Sequence, residues 1–427
     1  MLPIDIFRED LDRVKTSQKK RFRKLDYPDL VVKYDNMWRN ATKQVQALKA
    51  QKNKISKQIG QIKSQKGDTK ALEKQSKEIN KEIADLEKTE PELLAKRDEY
   101  RYGVGNIIHE TVPVGESDAD NVITSEVGEK PEFTFAPNSH IDLIKTTDGT
   151  NVEVASVVAG SRFYYLKNDL VFLNLALLHF AIDFLTQRGF TPWWTPFFLK
   201  RDIIAEAAEL ADFEETLYKI QDEDLFLIAT SEQTLAALHQ KDFIDEKMLP
   251  LKYCGVSSCF RKEAGSHGKD TLGIFRVHQF EKVEQYIYCK PEDSWKLHEE
   301  MIANAEGIYK VLGIPYRVVN IASGEMNDNA AKKYDLEGWF PGSNTYRELV
   351  SCSNCTDYQT RKLQIKAGVP GEKKSWYVPH SLNSTAIATE RTICCILENY
   401  QNEDGTVRVP KALLPYMSGR KIIGPKK

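Results

Sequence analysis

Two heptad runs of mostly apolar residues, close together near the N-terminus, constrain this chain more than any other feature. In the first, Tyr34, Trp38, Ala41, Val45, Leu48, Lys52, Ile55, Ile59 and Ile62 step alternately by four and three. The second repeats the rhythm at Leu72, Ser76, Ile79, Ile83, Leu86, Glu90, Leu93, Arg97, Tyr100 and Val104. A stripe of this period is a helix face that buries itself against another helix with the same repeat. Between the runs, Gly67 offers a left-handed C-terminal cap, and Asp68 or Thr69 offers an N-cap for the next helix. An antiparallel helical hairpin over residues 27–102 is therefore predicted. With some 37 residues at 1.5 Å rise, its first helix extends about 55 Å. A rod of this kind carries no catalytic chemistry.

Charge separates the hairpin from the rest. Of the 427 residues, the first 107 hold 25 Lys and Arg against 17 Asp and Glu, net +8, and the remaining 320 hold 35 against 45, net −10. Within the arm, residues 31–66 carry nine cations against the single Asp35, whereas residues 68–102 carry eight against ten acids. Arg8 to Lys24 adds eight more cations, a pattern for which nuclear localisation is a weak reading. Lysine-rich helix faces are ordinarily just solvated, but so one-sided an excess suggests a polyanion-binding appendage on a globular body.

For the body, 29% charged and 41% hydrophobic residues exclude collagen-like, disulfide-scaffold and wholly disordered classes. The longest apolar stretch, residues 170–185, is interrupted by Asn174, His179 and Asp183, so no membrane span is expected. The N-terminus, MLPIDIFRED, lacks the apolar segment of a secretory signal, which makes the cytoplasm the default location. Seven cysteines without framework spacing read as reduced thiols. Cys352-x-x-Cys355 has the spacing of half a zinc site, but no second CxxC or spaced His pair completes it, so the two read as small core residues and no zinc is expected.

Residues 108–130 read as a loop-rich boundary, which divides the chain into 1–107 and 108–427. Beyond it, a helix over 170–188 ending at Gly189, and strands over 225–228, 253–259, 277–288 and 316–321, indicate an α+β sheet domain. The chain has no GxxxxGK[ST] loop, and Gly103-x-Gly105 lacks a third glycine, so arginines must hold any nucleotide. Cys259-Phe260-Arg261-Lys262-Glu263 ends one strand and a polar loop, 264–271, follows. In the next strand Arg276, His278, Phe280, Lys282 and Glu284 share one face. That face is either a binding set for a nucleotide plus an amino acid or a salt-bridged solvent face.

Gly189-Phe190-Thr191-Pro192-Trp193-Trp194-Thr195-Pro196, then Phe260-Arg261-Lys262-Glu263 continuing as AGSHGKDTLGIFRVHQFEKVEQY, then Glu390-Arg391-Thr392 opening an apolar helix, stand in this order along the chain. They resemble the first, second and third motifs of class II aminoacyl-tRNA synthetases, most closely those of the seryl-tRNA synthetase family. Thr230-Ser231-Glu232, the run YRELVSCSNCTDYQTRK and Leu382-Asn383-Ser384-Thr385 are similar to segments peculiar to the seryl family, as is the basic hairpin. One departure is Ser323-Gly324-Glu325-Met326-Asn327, where the family usually shows Gly-Asp-hydrophobic-Gly.

The resemblance implies an antiparallel catalytic sheet preceded by a tRNA-binding coiled-coil arm, and serine activation by ATP and Mg²⁺ without zinc. Arg261 would bridge the α-phosphate and the serine carboxylate, and Arg391 would hold the γ-phosphate. Glu263 would contact adenine and Phe280 would stack on it, with Lys262, Arg276, Val277, Leu349 and Val350 completing the ATP set. Glu348 and Ser351 would ligate Mg²⁺. Thr230, Ser231, Glu232, Arg261, Glu284, Asn383 and Thr385 would bind serine, and Lys43, Lys49, Lys54 and Lys57 would bind tRNA. Serine tRNA is the implied partner, with selenocysteine tRNA a second candidate, and a homodimer is implied through the first motif. Taken singly, Glu348 and Arg391 could be a plain ion pair, Phe280 core, and Thr385 a helix cap. A non-charging RNA-binding paralogue, a scaffold with a degenerate body and a class II synthetase for another amino acid are the competing readings. Intact Arg261, Glu348 and Arg391 weigh against the first two.

Overall fold

The computed structural model describes residues 1–207, 216–263 and 272–424. The expected polar loop at 264–271 lies outside the described residues. The chain forms two compact units, residues 2–107 and residues 108–427 together with Met1.

In the first unit, short helices α1 (Ile4–Glu9) and α2 (Leu11–Lys20) precede the hairpin helices α3 (Tyr27–Ser64) and α4 (Lys70–Tyr102). Every predicted seam position in both helices is buried or half-buried, and Ile55, Ile79 and Ile83 form its apolar centre with Leu48, Ile59 and Leu72. The turn differs from expectation: Lys66, at φ 57°, takes the left-handed position instead of Gly67. Gly67 serves close approach, because a Cβ there would stand 2.7 Å from Ile62 Cγ2. The Asp68 carboxylate caps the second helix by accepting the Lys70 N–H at 3.0 Å. Pro91 lies inside α4 on its exposed side. It removes one backbone hydrogen bond there and leaves the seam intact.

Part of the N-terminal positive charge is consumed inside this unit. Arg21 is buried and donates to the Asn106 carbonyl at 2.9 Å, and Lys15 pairs with Asp29 at 2.7 Å. Buried Asp35 accepts Arg8 Nε at 2.8 Å and Arg97 Nη1 at 3.3 Å. Burial alone would raise the Asp35 carboxyl, but the two guanidiniums hold it below its usual range. The seam thus carries a buried ion cluster at its base, a feature that fixes register more surely than it adds stability.

The second unit is built on eight strands: β1 (Val122–Val127), β2 (Thr191–Trp194), β3 (Leu251–Phe260), β4 (Gln279–Cys289), β5 (Tyr316–Asn320), β6 (Lys332–Phe340), β7 (Thr345–Asn354) and β8 (His380–Ala388). Their spatial order is β1-β5-β6-β7-β8-β4-β3-β2. All neighbours are antiparallel except β2 and β3, which run parallel. Three helices, α5 (Asp169–Thr186), α7 (Ser294–Leu312) and α8 (Thr389–Asn399), share the apolar core with one face of this sheet. Helix α6 (Ser231–Ala237) belongs with β3 and β4 to a second, smaller core. By length and composition α5 could cross a bilayer, yet more than half of it is buried inside the unit.

Strand parity separates chemistry from packing. On β4, Val283, Ile287 and Cys289 join the core, while Lys282 and Glu284 point to the other face. On β7, Val350 and Cys352 join the core, while Ser351 and Ser353 face the cavity; on β8, Leu382 and Ala386 do the first, Asn383 and Thr385 the second. The expected loop at 108–130 is corrected in one respect: residues 122–127 form edge strand β1. The solvent-facing Val122 and Ile123 give this strand no buried period to read. The departing segment 323–327 is held by the same region, Ser323 N–H donating to Pro113 O and Gly324 N–H to Gly115 O at 2.9 Å each.

Candidate active site

The cavity on the open face of the sheet encloses about 340 Å³ and is lined from β4, β6, β7, β8, α6 and α8, and from Arg261 just past β3. Most residues predicted for ATP and serine meet there: Thr230, Glu232, Arg261, Phe280, Glu284, Glu348, Leu349, Ser351, Asn383, Thr385 and Arg391. Arg261 follows the last residue of β3. Its guanidinium lies 5.1 Å from the Phe280 ring centroid, and its carbonyl meets His278 Nδ1 at 2.7 Å. Arg391 lies 3.3 Å from Glu348 Oε1 and donates to the Glu348 carbonyl at 3.2 Å. Glu348 is held at about 2: desolvation raises its carboxyl, but the charges of Arg391, Lys333 and Arg261 outweigh that.

A β-bulge makes this arrangement. In the β6–β7 register Leu336 faces Val350 and Glu337 faces Glu348, so Leu349 has no partner. The extra residue turns Glu348 and Ser351, three apart and otherwise on opposite faces, toward the same cavity.

The second half of the cavity is a carboxylate pocket. Glu232 Oε1 accepts Gln359 Nε2 at 2.8 Å and Asn383 Nδ2 at 3.0 Å. Buried Glu284 pairs with Lys282 at 2.5 Å and accepts Thr385 Oγ1 at 3.4 Å. Thr385 is therefore mid-strand and no helix cap. Burial and then the Glu284 charge push Glu232 up to about 7. Ser231 is fully buried and turned away, donating to the Gly255 carbonyl at 3.2 Å.

Other predicted residues lie elsewhere. Val277 and Val350 have their side chains in the core, leaving only backbone to any ligand. Glu263, at φ 53°, pairs with Arg276 at 3.0 Å. Lys262 donates its backbone N–H to Thr216 O at 2.9 Å. None of these five is among the described cavity-lining residues. Lys43, Lys49, Lys54 and Lys57 are all exposed on α3, with Lys49 2.7 Å from Glu87 of α4. The seven cysteines are buried without a disulfide, and no cluster of three metal-ligating side chains exists among the described residues.

Sequence reasoning missed Lys333, Ser353, Asn327, Asn329, Gln359 and a role for Glu390. Lys333 lines the cavity 3.2 Å from Asp335 and adds a cation beside Glu348. Glu390 is buried at the cavity wall and pushed up to about 7 by desolvation, its Oε2 without a hydrogen-bond partner. Arg391 beside it only partly offsets that. The period-2 pattern of β6 was the available signal for Lys333, since Lys333 and Asp335 share a face.

The sequence model of the Seryl-tRNA synthetase N-terminal domain matches residues 1–108, and that of the tRNA synthetase class II core domain (G, H, P, S and T) matches residues 216–400. The Serine--tRNA ligase of Methanosphaera stadtmanae is 55% identical over 429 residues, covering 100% of both chains. This chain belongs to the seryl-tRNA synthetase family. The Serine--tRNA ligase, cytoplasmic, of Arabidopsis thaliana is 45% identical, covering 99% of this chain and 96% of its own. Among solved structures, seryl-tRNA synthetase from Pyrococcus horikoshii complexed with ATP aligns with a TM-score of 0.96 at 44% identity over 100% of each chain. The cytoplasmic Serine-tRNA ligase of Naegleria fowleri in complex with AMP gives 0.91 at 43%, covering 100% and 99%. A class II catalytic sheet with an N-terminal helical arm is the family's fold and is the fold seen here.

Proposed function

We propose that this member of the seryl-tRNA synthetase family is a serine–tRNA ligase that activates serine with ATP and transfers it to the 3′ end of serine tRNA. Two guanidiniums and the two carboxylates of Glu232 and Glu284 lining one cavity are the observation that supports it most. Phosphates belong near Arg261, Arg391 and Lys333, and the ammonium and hydroxyl of serine near Glu232, Glu284, Asn383 and Thr385. Phe280 offers its ring to adenine and Arg261 together. The serine carboxylate oxygen attacks the α-phosphorus, the bond to the β-phosphate oxygen breaks, and pyrophosphate leaves. The tRNA 3′-hydroxyl then attacks the seryl carbonyl and AMP departs. No protein nucleophile is needed; Arg261 and Arg391 stabilise charge that spreads over the phosphate oxygens in the transition state.

Glu348 and Ser351 form an all-oxygen pair turned to one side by the bulge, which fits Mg²⁺, a cation that takes one or two protein donors and completes its shell with phosphates and water. Bound there, it would neutralise phosphate charge. The exposed lysines of α3 supply a phosphate-binding face for tRNA, and serine tRNA is the substrate assigned here. A homodimer is assigned through β2, whose Trp193 and Trp194 are 39% and 73% exposed at the sheet edge. Phe190 of the same motif is buried in the core. The cytoplasm is the assigned location, as in the name of the Arabidopsis relative.

Arg261→Ala tests the assignment. It removes a contact worth several kcal/mol at the transition state, so ATP–pyrophosphate exchange should vanish while the melting profile is kept. Wild-type exchange by the folded variant would overturn the site.

A further inference from the structure

We infer that Gln359 is a positioning residue for serine recognition, fixing Glu232 so that Oε1 is occupied and only Oε2 is left to the amino acid. The inference rests on the serine-site reading above and adds a residue outside the cavity wall to it.

Gln359 lies in the short helix Tyr358–Lys362 and is 2% exposed. Its Oε1 accepts Ser381 Oγ at 3.0 Å and Tyr286 Oη at 3.3 Å. Burial holds the Tyr286 phenol far above its usual range, so it keeps the proton it donates. With two hydroxyls on Oε1, the amide nitrogen is turned to Glu232, 2.8 Å away. Asn383 Nδ2 reaches the same oxygen at 3.0 Å. Two N–H donors on Oε1 leave no room for a proton there, so Glu232 takes up any proton on Oε2. A carboxylate so fixed accepts from a substrate N–H or O–H in its ionised form and loses that ability on protonation.

Other groups set the balance. Glu284 from β4 repels the Glu232 charge, Lys282 from the same strand and Arg261 at the end of β3 favour it, and the two amides come from β8 and the Gln359 helix. A hydrogen bond to the charged form lowers a carboxyl pKa. Removing the Gln359 donor therefore raises that of Glu232, and the acid limb of serine use moves to higher pH.

The test is ATP–pyrophosphate exchange across pH 5.5–9 with Q359L, an apolar replacement of similar size. A lost hydrogen bond to a buried charge typically weakens binding about tenfold or more, so KM for serine should rise by that factor, KM for ATP should hold, and the acid limb of kcat/KM for serine should shift upward. Tyr286→Phe with Ser381→Ala, which keeps Gln359 but frees its Oε1, should shift both in the same direction by less, and carries the test if Q359L does not fold. E232Q separates the two levels of the argument. If E232Q raises KM for serine while Q359L and the double variant leave KM and the pH limb unchanged, Gln359 does not position Glu232. If E232Q leaves KM for serine unchanged, the serine-site reading itself falls.

Discussion

Gly255 lies mid-way along β3, paired with Glu284 in register, and the first turn of α6 crosses directly over it. A Cβ added there would stand 2.7 Å from Leu235 Cδ1, 2.8 Å from Ser231 Oγ and 3.0 Å from Ser231 Cβ. Non-bonded carbons rest at about 3.5–4.0 Å, so in Gly255→Ala the helix start must move outward by roughly 0.5–1 Å. Overpacking of that kind costs about 1–3 kcal/mol, which a unit of this size survives. Thr230 and Glu232 ride on the displaced turn, and a misplacement near 1 Å can cost about 100-fold in reactivity. Arg391, Glu348 and Ser351 stand on β7 and α8, across the cavity. Serine kcat/KM in pyrophosphate exchange should therefore fall about 10- to 100-fold, with KM for ATP unchanged and a modestly lower melting temperature. Unaltered kinetics for serine in the folded variant, or equal loss toward ATP, would refute the claim that glycine at 255 sets the α6 position.

Deleting residues 27–102 should leave serine-dependent exchange intact and sharply reduce tRNA charging, since every cavity residue lies beyond position 206; joint loss of both would reassign the arm as structural. Charge reversal at Lys43, Lys49, Lys54 and Lys57 should raise KM for tRNA and flatten its salt dependence, read from charging rates between low and moderate salt. Glu390, raised from 4.5 to about 7, favours folding in its protonated form, a contribution present at pH 4.5 and lost as pH rises through 7. Thermal melts should accordingly show Glu390→Gln matching wild type near pH 4.5 and exceeding it at pH 8, whereas equal shifts at both would show that Glu390 does not titrate this way. Light scattering at micromolar concentration should give a dimer mass, and Trp194→Glu a lower one.

The hairpin was legible because one period governs it: each seam side chain meets its counterpart at a distance the heptad dictates. Its turn was not, since Lys66 and Gly67 exchange the roles their types suggest, and close approach to Ile62 decides the matter. In the body, the apolar alternation of β3, β4 and β5 was readable, and so was that of β6, whereas β7 and β8 carry Ser, Asn and Thr on their cavity-facing side and give a weaker hydrophobic pattern. The phosphate-side residues were found through motifs local in sequence. Gln359 acts on Glu232 and Gly255 on the first turn of α6, and only the folded chain brings these pairs together. The bulge at Leu349 is of the same kind, a local irregularity that sets which oxygens face the cavity.

ATP–pyrophosphate exchange measured separately with each standard amino acid tests the central claim most directly. A carboxylate pocket with Thr385 and Asn383 beside it predicts exchange with serine and strong rejection of alanine, which would leave these polar groups unpaired. Robust exchange with another amino acid and none with serine would contradict the account.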